Sequence, residues 1–376
     1  MTLFKKLPLG SSIGIIGGGQ LGKMLAVAAN TMGYKTIILD PSEKACGRIV
    51  ADEFICGAFD NADALKTLAE KSDVITYEFE NIPARSIKLL EDAGAYIPQG
   101  FHALAISQDR LREKKSLEKA GFKVAPYKKV DTRENLEQAV EELGLPCILK
   151  TRSGGYDGKG QVSIDSLEDI REASKLLEVP CILEKKLKFD KEVSAVCVKS
   201  VNGELDILPI GDNVHRNGIL HTSIVPCGTE KFEDIEEAAR NFFEEYDILG
   251  ILTIELFLVD GKLVANEIAP RPHNSGHWSL DGANVSQFEQ AIRAITGLPL
   301  VKSRALENTA MVNLLGQHYE FLEKHMDQLG AFSKIHLYGK DGNVHNRKIG
   351  HINITDTNLE SLEEKVSLVD KLINNK

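Results

Sequence analysis

The sequence predicts an α/β unit with a parallel sheet at the N-terminus, followed by α+β units and a small β-rich C-terminal unit. The length of 376 residues is enough for two or three domains of ordinary size. The first hundred residues alternate short apolar strands with helices of apolar periodicity, a pattern typical of parallel sheets. Farther along, strands follow one another across short glycine-containing turns, which indicates antiparallel pairing.

The first glycine turn reads G-G-G-Q-L-G over residues 17–22. It lies between a predicted strand (12–16) and a predicted helix (23–32), and Asp40 follows the next strand (35–39). A G-x-G-x-x-G turn in this context is typical of Rossmann-like dinucleotide-binding domains, so an NAD-dependent dehydrogenase is one hypothesis. The amides at a helix N-terminus select negative charge rather than nicotinamide, however, so the turn can serve another phosphate ligand.

Two carboxylates, Glu78 and Glu80, follow the next predicted strand, at residues 74–77. Helices are predicted on either side of that strand, at residues 62–71 and 84–93. Open parallel sheets bind ligands at the carboxyl ends of their strands, so Glu78 is a candidate ligand contact. A solvated loop carboxylate explains it equally well.

The most distinctive segment is the glycine loop, residues 154–161, which reads G-G-Y-D-G-K-G-Q. It follows an apolar strand that ends on Lys150 and precedes another strand, so it does not match a P-loop, which opens a helix. Glycine amides and lysine charge suit a lid that covers phosphates, while a solvated surface hairpin is the alternative. The other elements predicted around this loop are helices at residues 109–120, 132–143 and 166–177 and a strand at 181–184.

An acidic hairpin is predicted beyond this region, with strands on either side of Asp260-Gly261. A tight two-residue turn places Glu255 opposite Asn266, whereas one bulged residue at Gly261 places Glu255 opposite Glu267. Facing carboxylates on neighbouring strands repel each other unless a cation lies between them. Mg²⁺ bound with nucleotide phosphates is the natural cation, because it takes one or two protein carboxylates plus phosphate and water.

The formal net charge of -10 argues against a nucleic-acid-binding protein, because such proteins carry basic faces. An anionic ligand therefore needs a locally basic cleft. The candidate cations for that cleft are Lys150, Arg152, Lys159, Lys185, Lys186, Arg271, Arg347 and Lys348. The six cysteines form no C-x-x-C pair, which predicts free, mostly buried thiols in a reducing compartment. No apolar run has the length of a signal or membrane segment, so we expect a cytoplasmic protein without a membrane partner.

Over nearly its whole length the chain resembles the ATP-grasp enzymes and, among them, the family of 5-(carboxyamino)imidazole ribonucleotide synthetases. The motifs that carry the resemblance are the glycine turn, Q-D-R-L at 108–111, the glycine loop, Glu255, and N-E-I-A-P-R-P-H-N-S-G-H at 266–277. The last motif is far more specific than the first. The resemblance implies ATP-grasp architecture, with a Rossmann-like pre-ATP-grasp domain (1–105), a lid subdomain (106–187), a large subdomain with the metal glutamates (188–300) and a C-terminal domain (301–376).

The resemblance also implies a set of ligand contacts. The residues expected around ATP are Arg110, Lys150, Gly155, Tyr156, Asp157, Gly158, Lys159, Gly160, Gln161, Glu184, Lys185, Lys186, Leu187, Glu192, His215, Asn266 and Glu267. Mg²⁺, or Mn²⁺ in its place, is expected on Glu255 and Glu267. Many ATP-grasp enzymes carry an asparagine two residues after the second metal glutamate, where this chain has Ala269.

The reaction that the resemblance implies is phosphorylation of bicarbonate by ATP, followed by carboxylation of 5-aminoimidazole ribonucleotide in purine biosynthesis. The residues expected to contact the ribonucleotide or bicarbonate are Gln20, Leu21, Glu78, Tyr156, Asp157, Arg271, Arg347 and Lys348. The residues expected to be catalytic are Arg271, His273, Asn274 and Lys348. Arg271 could hold bicarbonate bidentately. Arg347 and Lys348 lie in a predicted apolar hairpin over residues 344–354. The family suggests a homodimer.

Two other ATP-grasp enzymes are alternatives: formate-dependent glycinamide ribonucleotide transformylase and biotin carboxylase. The H-N-S-G-H run at 273–277 and the short C-terminal region favour the synthetase. The dehydrogenase hypothesis does not explain the glycine loop or the acidic hairpin. A zinc site on His273 and His277 is disfavoured, because the residues between them are poor helix formers and no flanking ligand is present.

Overall fold

The computed structural model describes residues 6–155, 160–228, 233–340 and 344–374, and its strands form three sheets. The first sheet is parallel, with strand order β3-β2-β1-β4. Its strands and helices are β1 Ser12–Ile16, α1 Gln20–Thr31, β2 Lys35–Asp40, β3 Glu53–Cys56, α2 Ala62–Lys71, β4 Val74–Tyr77 and α3 Ala84–Asp92. The predicted α/β start is confirmed, and α1 begins directly at the glycine turn rather than at residue 23.

The second sheet is antiparallel, with strand order β5-β8-β6-β7. Two helices lead to it, α4 Gly100–Ser107 and α5 Arg110–Ala120. The elements of the sheet unit are β5 Tyr127–Val130, α6 Arg133–Leu143, β6 Cys147–Thr151, β7 Gln161–Ile164, α7 Ile170–Ala173 and β8 Cys181–Lys185. This is the predicted α+β unit around the glycine loop.

The single helix predicted at residues 166–177 is wrong. The segment folds as α7, one turn long, between two 3₁₀ turns, Leu167–Asp169 and Ser174–Glu178. Only Ile170 and Ala173 are buried in these turns. Because most helical stability in proteins comes from packing of an apolar face, so short a buried stripe does not sustain a longer α-helix.

The third sheet is antiparallel and large, with strand order β14-β13-β9-β11-β12-β15-β17-β16 and with β10 paired to β9. Its strands are β9 Lys191–Lys199, β10 Leu205–Ile207, β11 Gly211–Arg216, β12 Ile219–Val225, β13 Gly250–Val259, β14 Lys262–Ala269, β15 Asn308–Leu315, β16 Lys334–Leu337 and β17 Lys348–Asp356. The helices in this part of the chain are α8 Glu233–Glu245, α9 Ser279–Gly282, α10 Gln287–Thr296, α11 Tyr319–Lys324, α12 Met326–Gly330 and α13 Leu359–Asn374.

The apolar hairpin predicted over residues 344–354 is wrong. A turn precedes Lys348, and the residues after it form the long strand β17, which pairs with β15 on one side and β16 on the other. The strand is drawn into the larger sheet because its buried residues, Ile352 and Ile354 among them, join the apolar cluster beneath α13. Since β12 pairs with β15, the sheet continues across the predicted boundary at residue 300, and the division into domains stays a prediction.

The first and third sheets share one apolar cluster. Leu25 and Ala29 of α1 belong to it, together with Phe288 and Ile292 of α10. This packing fixes the glycine turn of the first sheet relative to the residues that precede α10, and those residues include the motif at 266–277.

All six cysteines are free, and Cys56 alone among them is exposed. No helix in the described parts of the chain combines the length and the apolar character that crossing a membrane requires.

Candidate functional site

The glycine turn after β1 is bonded by the protein's own carboxylates. Gly18 donates its backbone N-H to Asp40 Oδ2 at 2.7 Å, and Gly19 and Gly22 donate theirs to the two oxygens of Glu78 at 3.1 and 3.2 Å. A dinucleotide pyrophosphate would need these same amides. The turn is therefore a support for Glu78, and the dehydrogenase hypothesis loses its one structural basis.

Glu78 is buried at this turn. Burial raises its pKa to about 7, although the hydrogen bonds from Gly19 and Gly22 act in the opposite direction. Its carboxylate therefore changes charge near neutral pH. Of the two interpretations of Glu78, the structure excludes the solvated loop carboxylate. Gln20 begins α1 beside it and is partly exposed, whereas the Leu21 side chain is buried in the core, so Leu21 can contact a ligand only through its backbone.

Arg271 forms an ion pair with Glu80. Its Nη2 donates to Glu80 Oε1 at 3.0 Å, its Nε donates to Oε2, and its side chain is 17% exposed. Burial opposes charge on both groups, yet the pairing raises the pKa of Arg271 and lowers that of Glu80. The Nε–Nη2 edge, which could hold bicarbonate bidentately, is thus engaged by Glu80. Bicarbonate held there would have to displace or share that carboxylate.

The acidic hairpin places Glu255 directly opposite Glu267. Asp260 and Gly261 form a tight two-residue turn, with φ of 48° and 72°, so Val259 pairs with Lys262. The bulge predicted at Gly261 is wrong, because a different residue brings the two glutamates opposite each other. The pairing shifts between Glu255 and Leu256 instead, where Asn266 is the residue left over. A turn with two positive φ values matches the twist of its strands and needs no bulge of its own.

One face of α5 holds the bulge in place. Lys114, which is 1% exposed, donates from Nζ to Asn266 O at 2.8 Å, and Ile268 donates its N-H to Glu113 Oε1 at 2.7 Å. One turn earlier, Arg110 Nη1 donates to Glu267 Oε2 at 2.8 Å. The two backbone bonds flank Glu267 on either side, so α5 sets where its carboxylate points.

The same face of α5 reaches the second sheet. Glu184 Oε2 on β8 lies 3.1 Å from Lys150 Nζ and 3.2 Å from Lys114 Nζ, and its side chain is 4% exposed. Burial would raise the pKa of Glu184, but the two ammonium groups and Arg110 bring it down to about 2. The carboxylate is therefore ionised, and Lys150 is held at the base of the glycine loop.

The glycine loop begins beside the N-terminus of α5. Arg152 Nε donates to Asp109 Oδ1 at 3.1 Å, and Ser153 Oγ donates to Gln108 O at 2.8 Å. Gly155, Gly160 and the exposed Gln161 are described at the ends of the loop. The predicted contacts Tyr156, Asp157, Gly158 and Lys159 lie outside the described residues.

Three expected ATP contacts follow at the end of β8. Lys185 donates from Nζ to Gly144 O and Leu145 O at 3.1 and 2.8 Å, and Lys186 Nζ bonds Ser163 Oγ and Asp165 Oδ1 at 2.8 and 3.0 Å. Both side chains are thus engaged within their own sheet unit. Leu187, which follows them, is half-buried.

A carboxylate–imidazole pair lies on the strands next to the hairpin. His215 Nδ1 on β11 is 2.5 Å from Glu192 Oε2 on β9. Burial opposes protonation, but this contact raises the pKa of His215. Glu192 is directly opposite Phe257 in β13, so the pair lies two residues along from Glu255 on the same sheet.

The motif after β14 returns to the hairpin. His273 Nε2 lies 3.1 Å from Glu255 Oε1, and His273 Nδ1 lies 2.7 Å from Ser275 Oγ. Burial would raise the pKa of Glu255, but His273, with His215 and Arg271, holds it below its ordinary value. Asn274 is 8% exposed, and neither atom of its amide has a partner among the described residues. Such a group is normally satisfied by a ligand or by water.

The C-terminal region supplies further cations. Lys23 of α1 donates from Nζ to Tyr338 O at 2.8 Å, which anchors the end of β16 next to the glycine turn. Burial lowers the pKa of Lys340 to about 8, and its electrostatic neighbours include Arg347, Lys348 and Glu78. Lys348 is also an electrostatic neighbour of His215 and of His277. Lys340 is therefore a neighbour both of Glu78 and of the predicted residues Arg347 and Lys348.

Sequence reasoning missed several residues of this site. Glu113 and Lys114 share a helical face with Arg110, at a spacing of three and four, and that spacing could have indicated them. No local pattern indicated Lys340, because only the contact between Lys23 of α1 and Tyr338, beyond the end of β16, brings this segment towards the glycine turn. His277 is buried and its Nδ1 accepts from Gln287 at 3.0 Å, so its role is in packing.

Family models match three successive parts of the chain. Residues 11–108 match the ribonucleotide synthetase preATP-grasp domain, residues 115–288 the ATP-grasp domain, and residues 309–365 the phosphoribosylaminoimidazole carboxylase C-terminal domain. The N5-carboxyaminoimidazole ribonucleotide synthase of Bacillus subtilis (strain 168) is 48% identical over 348 residues, which cover 91% of either chain.

Solved structures agree with this relationship. The N5-carboxyaminoimidazole synthetase of Staphylococcus aureus complexed with ADP has a TM-score of 0.94 and 43% identity, covering 98% of this chain and 99% of that one. The N5-carboxyaminoimidazole synthase of Aspergillus clavatus in complex with ADP and 5-aminoimidazole ribonucleotide has a TM-score of 0.89 and 27% identity, covering 98% and 99%. The chain therefore belongs to the N5-carboxyaminoimidazole ribonucleotide synthase family of ATP-grasp ligases.

Proposed function

We propose that this chain carboxylates 5-aminoimidazole ribonucleotide with bicarbonate, at the expense of ATP, to give N5-carboxyaminoimidazole ribonucleotide, ADP and phosphate in purine biosynthesis. The observation that carries the proposal is that the Glu255–Glu267 pair and Glu78 both lie near the Arg271–His273 segment, in a chain of this family. A phosphoryl-transfer site thus lies beside a carboxylate suited to an amine.

ATP is proposed to lie between the second and third sheets. Lys150 supplies point charge for the phosphates, and the amides of Gly155 and Gly160 can approach them closely. The backbone from Lys185 to Leu187 faces the base, and the Glu192–His215 pair faces the ribose. A related structure is complexed with ADP, and residues 115–288 match the ATP-grasp domain, which supports the binding of an adenine nucleotide by this chain. Each individual contact is part of the proposal.

The hairpin fits Mg²⁺, or Mn²⁺ in its place. Two carboxylates from neighbouring strands face each other, and each has a cationic or hydrogen-bonding partner, Arg110 for Glu267 and His273 for Glu255. Oxygen donors of this kind suit a hard cation that also keeps phosphate and water ligands. Ala269 has no donor atom in its side chain, so any further protein ligand comes from elsewhere. When bound, the metal neutralises charge on the transferring phosphoryl group.

The first half-reaction moves the γ-phosphoryl group of ATP to a bicarbonate oxygen, which gives carboxyphosphate and ADP. Arg271, which is ion-paired with Glu80, can orient bicarbonate together with the amide of Asn274, which has no partner among the described residues. His273 and Lys348 can stabilise the negative charge that develops there. Carboxyphosphate is short-lived in water, so the loop at residues 154–161 is proposed to exclude solvent while the second half-reaction proceeds.

In the second half-reaction the exocyclic amine attacks the carboxyl carbon of carboxyphosphate, or CO₂ released from it; phosphate leaves and takes up the proton that the amine loses. The ionised form of Glu78 can accept a hydrogen bond from that amine. Gln20, the backbone of Leu21, Tyr156 and Asp157 are proposed as further contacts of the ribonucleotide. The ribonucleotide phosphate is proposed to meet the cations Arg347, Lys348 and Lys340. This places the amine at the end of β4 and the phosphate at the C-terminal region.

The direct test is product formation by the purified chain. With ATP, Mg²⁺, bicarbonate and 5-aminoimidazole ribonucleotide we expect ADP release that requires both bicarbonate and the ribonucleotide, with the carboxylated ribonucleotide detected after ¹³C-bicarbonate labelling. Release of ADP that instead requires formate with glycinamide ribonucleotide, or biotin, would assign the chain to one of the other two ATP-grasp reactions.

Three further assignments belong to the proposal. We propose a homodimer, which light scattering would test, and action in the cytoplasm, which fractionation would test. We also propose the division at residues 1–105, 106–187, 188–300 and 301–376. The matched family segments at 11–108, 115–288 and 309–365 support a similar order of units.

A further inference from the structure

Gln287, the first residue of α10, lies outside the motif at 266–277 but contacts it closely. Its Oε1 accepts the backbone N-H of His273 at 2.9 Å, and its Nε2 donates to the backbone oxygen of His273 at 2.7 Å. The Nε2 also donates to His277 Nδ1 at 3.0 Å, and the residue is 0% exposed. One side-chain amide thus pairs with both backbone groups of one motif residue.

The direction of these bonds is determined. A backbone N-H can only donate and a backbone oxygen can only accept, so the orientation of the Gln287 amide follows from the backbone of His273. The Nδ1 of His277 must then accept. Carboxylate, hydroxyl or alkyl side chains cannot reproduce this set, because it requires one acceptor and two donors in a planar group.

The surroundings fix Gln287 in turn. Its own N-H donates to Ser279 Oγ at 2.9 Å, and Ser279 Oγ donates to Gly276 O at 2.6 Å. A Cβ on Gly276 would lie 2.5 Å from Gln287 Oε1, so the chain passes the amide without room for a side chain. The N-terminus of α10 and the motif are therefore packed as one unit.

We infer that Gln287 is a positioning residue for His273. It fixes the backbone from which the imidazole reaches Glu255 Oε1 at 3.1 Å, and it acts without touching substrate. The inference rests on the proposed function in one respect: the consequence for turnover presupposes that His273 serves the bicarbonate half-reaction. Small displacements of a positioned catalytic group are costly, and a shift of 1 Å can lower a rate by about 10²-fold.

The chain offers a matched control on the same helix. Gln290 is also 0% exposed, and its amide likewise makes two donor contacts and one acceptor contact, to Asp206 Oδ2, Val301 O and Val301 N. None of these partners belongs to the motif. Gln287→Met and Gln290→Met therefore remove equivalent buried amides, and only the first removal reaches His273.

The test compares these two variants with the wild-type chain by kinetics and by histidine-selective NMR, with the His273 signal assigned through His273→Gln. We expect Gln287→Met to lower kcat/KM for bicarbonate by about 10- to 100-fold while KM for ATP stays within about twofold. The double variant with His273→Gln should be no slower than His273→Gln alone, because both changes act through one group. The His273 signal should shift in Gln287→Met and stay in Gln290→Met.

An unshifted His273 signal in Gln287→Met would overturn the positioning role. The role would also be overturned if both variants showed the same fall in kcat/KM for bicarbonate and the same change in KM for ATP. A wild-type chain that lacks bicarbonate-dependent turnover would overturn the proposed function instead. The NMR comparison would still decide the role of Gln287 in that case, because it does not depend on turnover.

Discussion

Glu255 and Glu267 face each other across two strands because a single extra residue, Asn266, is inserted between the tight turn and the second glutamate. If Asn266 instead paired in the regular register, Glu255 would face Asn266, and Glu267 would project from the opposite face of the ribbon, since side chains alternate along a strand. A bulge at one backbone position thus creates the carboxylate pair. The bulge is in turn held by α5, a helix from another part of the chain.

The carboxylate pair should be required for metal binding. Replacing either acid, as Glu255→Gln or Glu267→Gln, should weaken Mn²⁺ binding measured by electron paramagnetic resonance by at least about tenfold and lower ATP turnover by about 10²- to 10³-fold. Asp260→Asn in the exposed turn of the same hairpin removes one charge and should leave both quantities unchanged. Unaltered Mn²⁺ affinity in both glutamate variants would contradict the assignment.

Lys114 should matter through the bulge. Lys114→Met removes the donor to Asn266 O and one of the two ammonium groups on Glu184, so the orientation of Glu267 should loosen. We expect Mn²⁺ affinity to fall about threefold to tenfold and the free energy of unfolding to fall by about 3 kcal/mol, because a buried carboxylate loses a partner. The neighbouring Lys115→Met, on the exposed face of the same helix, is the control for both measurements. Equal metal affinity in the two variants would show that the bulge forms without Lys114.

Glu78 should give a distinctive pH dependence. Its pKa is raised from 4.5 to about 7 in the folded chain, so between those values the folded state keeps a proton that the unfolded state has released. The stability this proton contributes is present below pH 4.5 and is lost as pH rises through 7. Glu78→Gln does not titrate, so its stability relative to the wild type should improve by about 1 to 3 kcal/mol between pH 5 and pH 8.

Denaturant unfolding at several pH values measures the difference in free energy of unfolding between Glu78→Gln and the wild type. The slope of that difference against pH is the readout, because glutamine also loses part of the hydrogen bonding to the glycine turn at every pH. Glu70→Gln, at an exposed position, should show no such slope. A flat difference for Glu78→Gln would mean that the carboxyl titrates at its ordinary pKa despite its burial.

Arg347 should act on the ribonucleotide and not on the nucleotide. Arg347→Ala removes one cation near Lys340 and Lys348, so we expect KM for 5-aminoimidazole ribonucleotide to rise by about tenfold or more, with KM for ATP unchanged. Arg304→Ala, an exposed arginine near the same end of the chain, is the control. An unchanged requirement for the ribonucleotide would remove Arg347 from the site.

The sequence by itself determined the type and the bounds of several helices and strands. Local patterns predicted β1, α2 and β4 with the observed bounds, because apolar periodicity and turn residues act over a few neighbours. The prediction of a single helix at 166–177 was wrong, because only two side chains of that segment are buried.

Only the tertiary structure decided how the site is assembled. The position of the bulge, the capture of the glycine-turn amides by Asp40 and Glu78, and the occupation of Arg271 by Glu80 all depend on residues distant in the sequence. Local spacing carries no information on such pairs. Buried charges and amides must find partners wherever the packed sheets bring them together, and that requirement places Lys114 and Gln287 at the site.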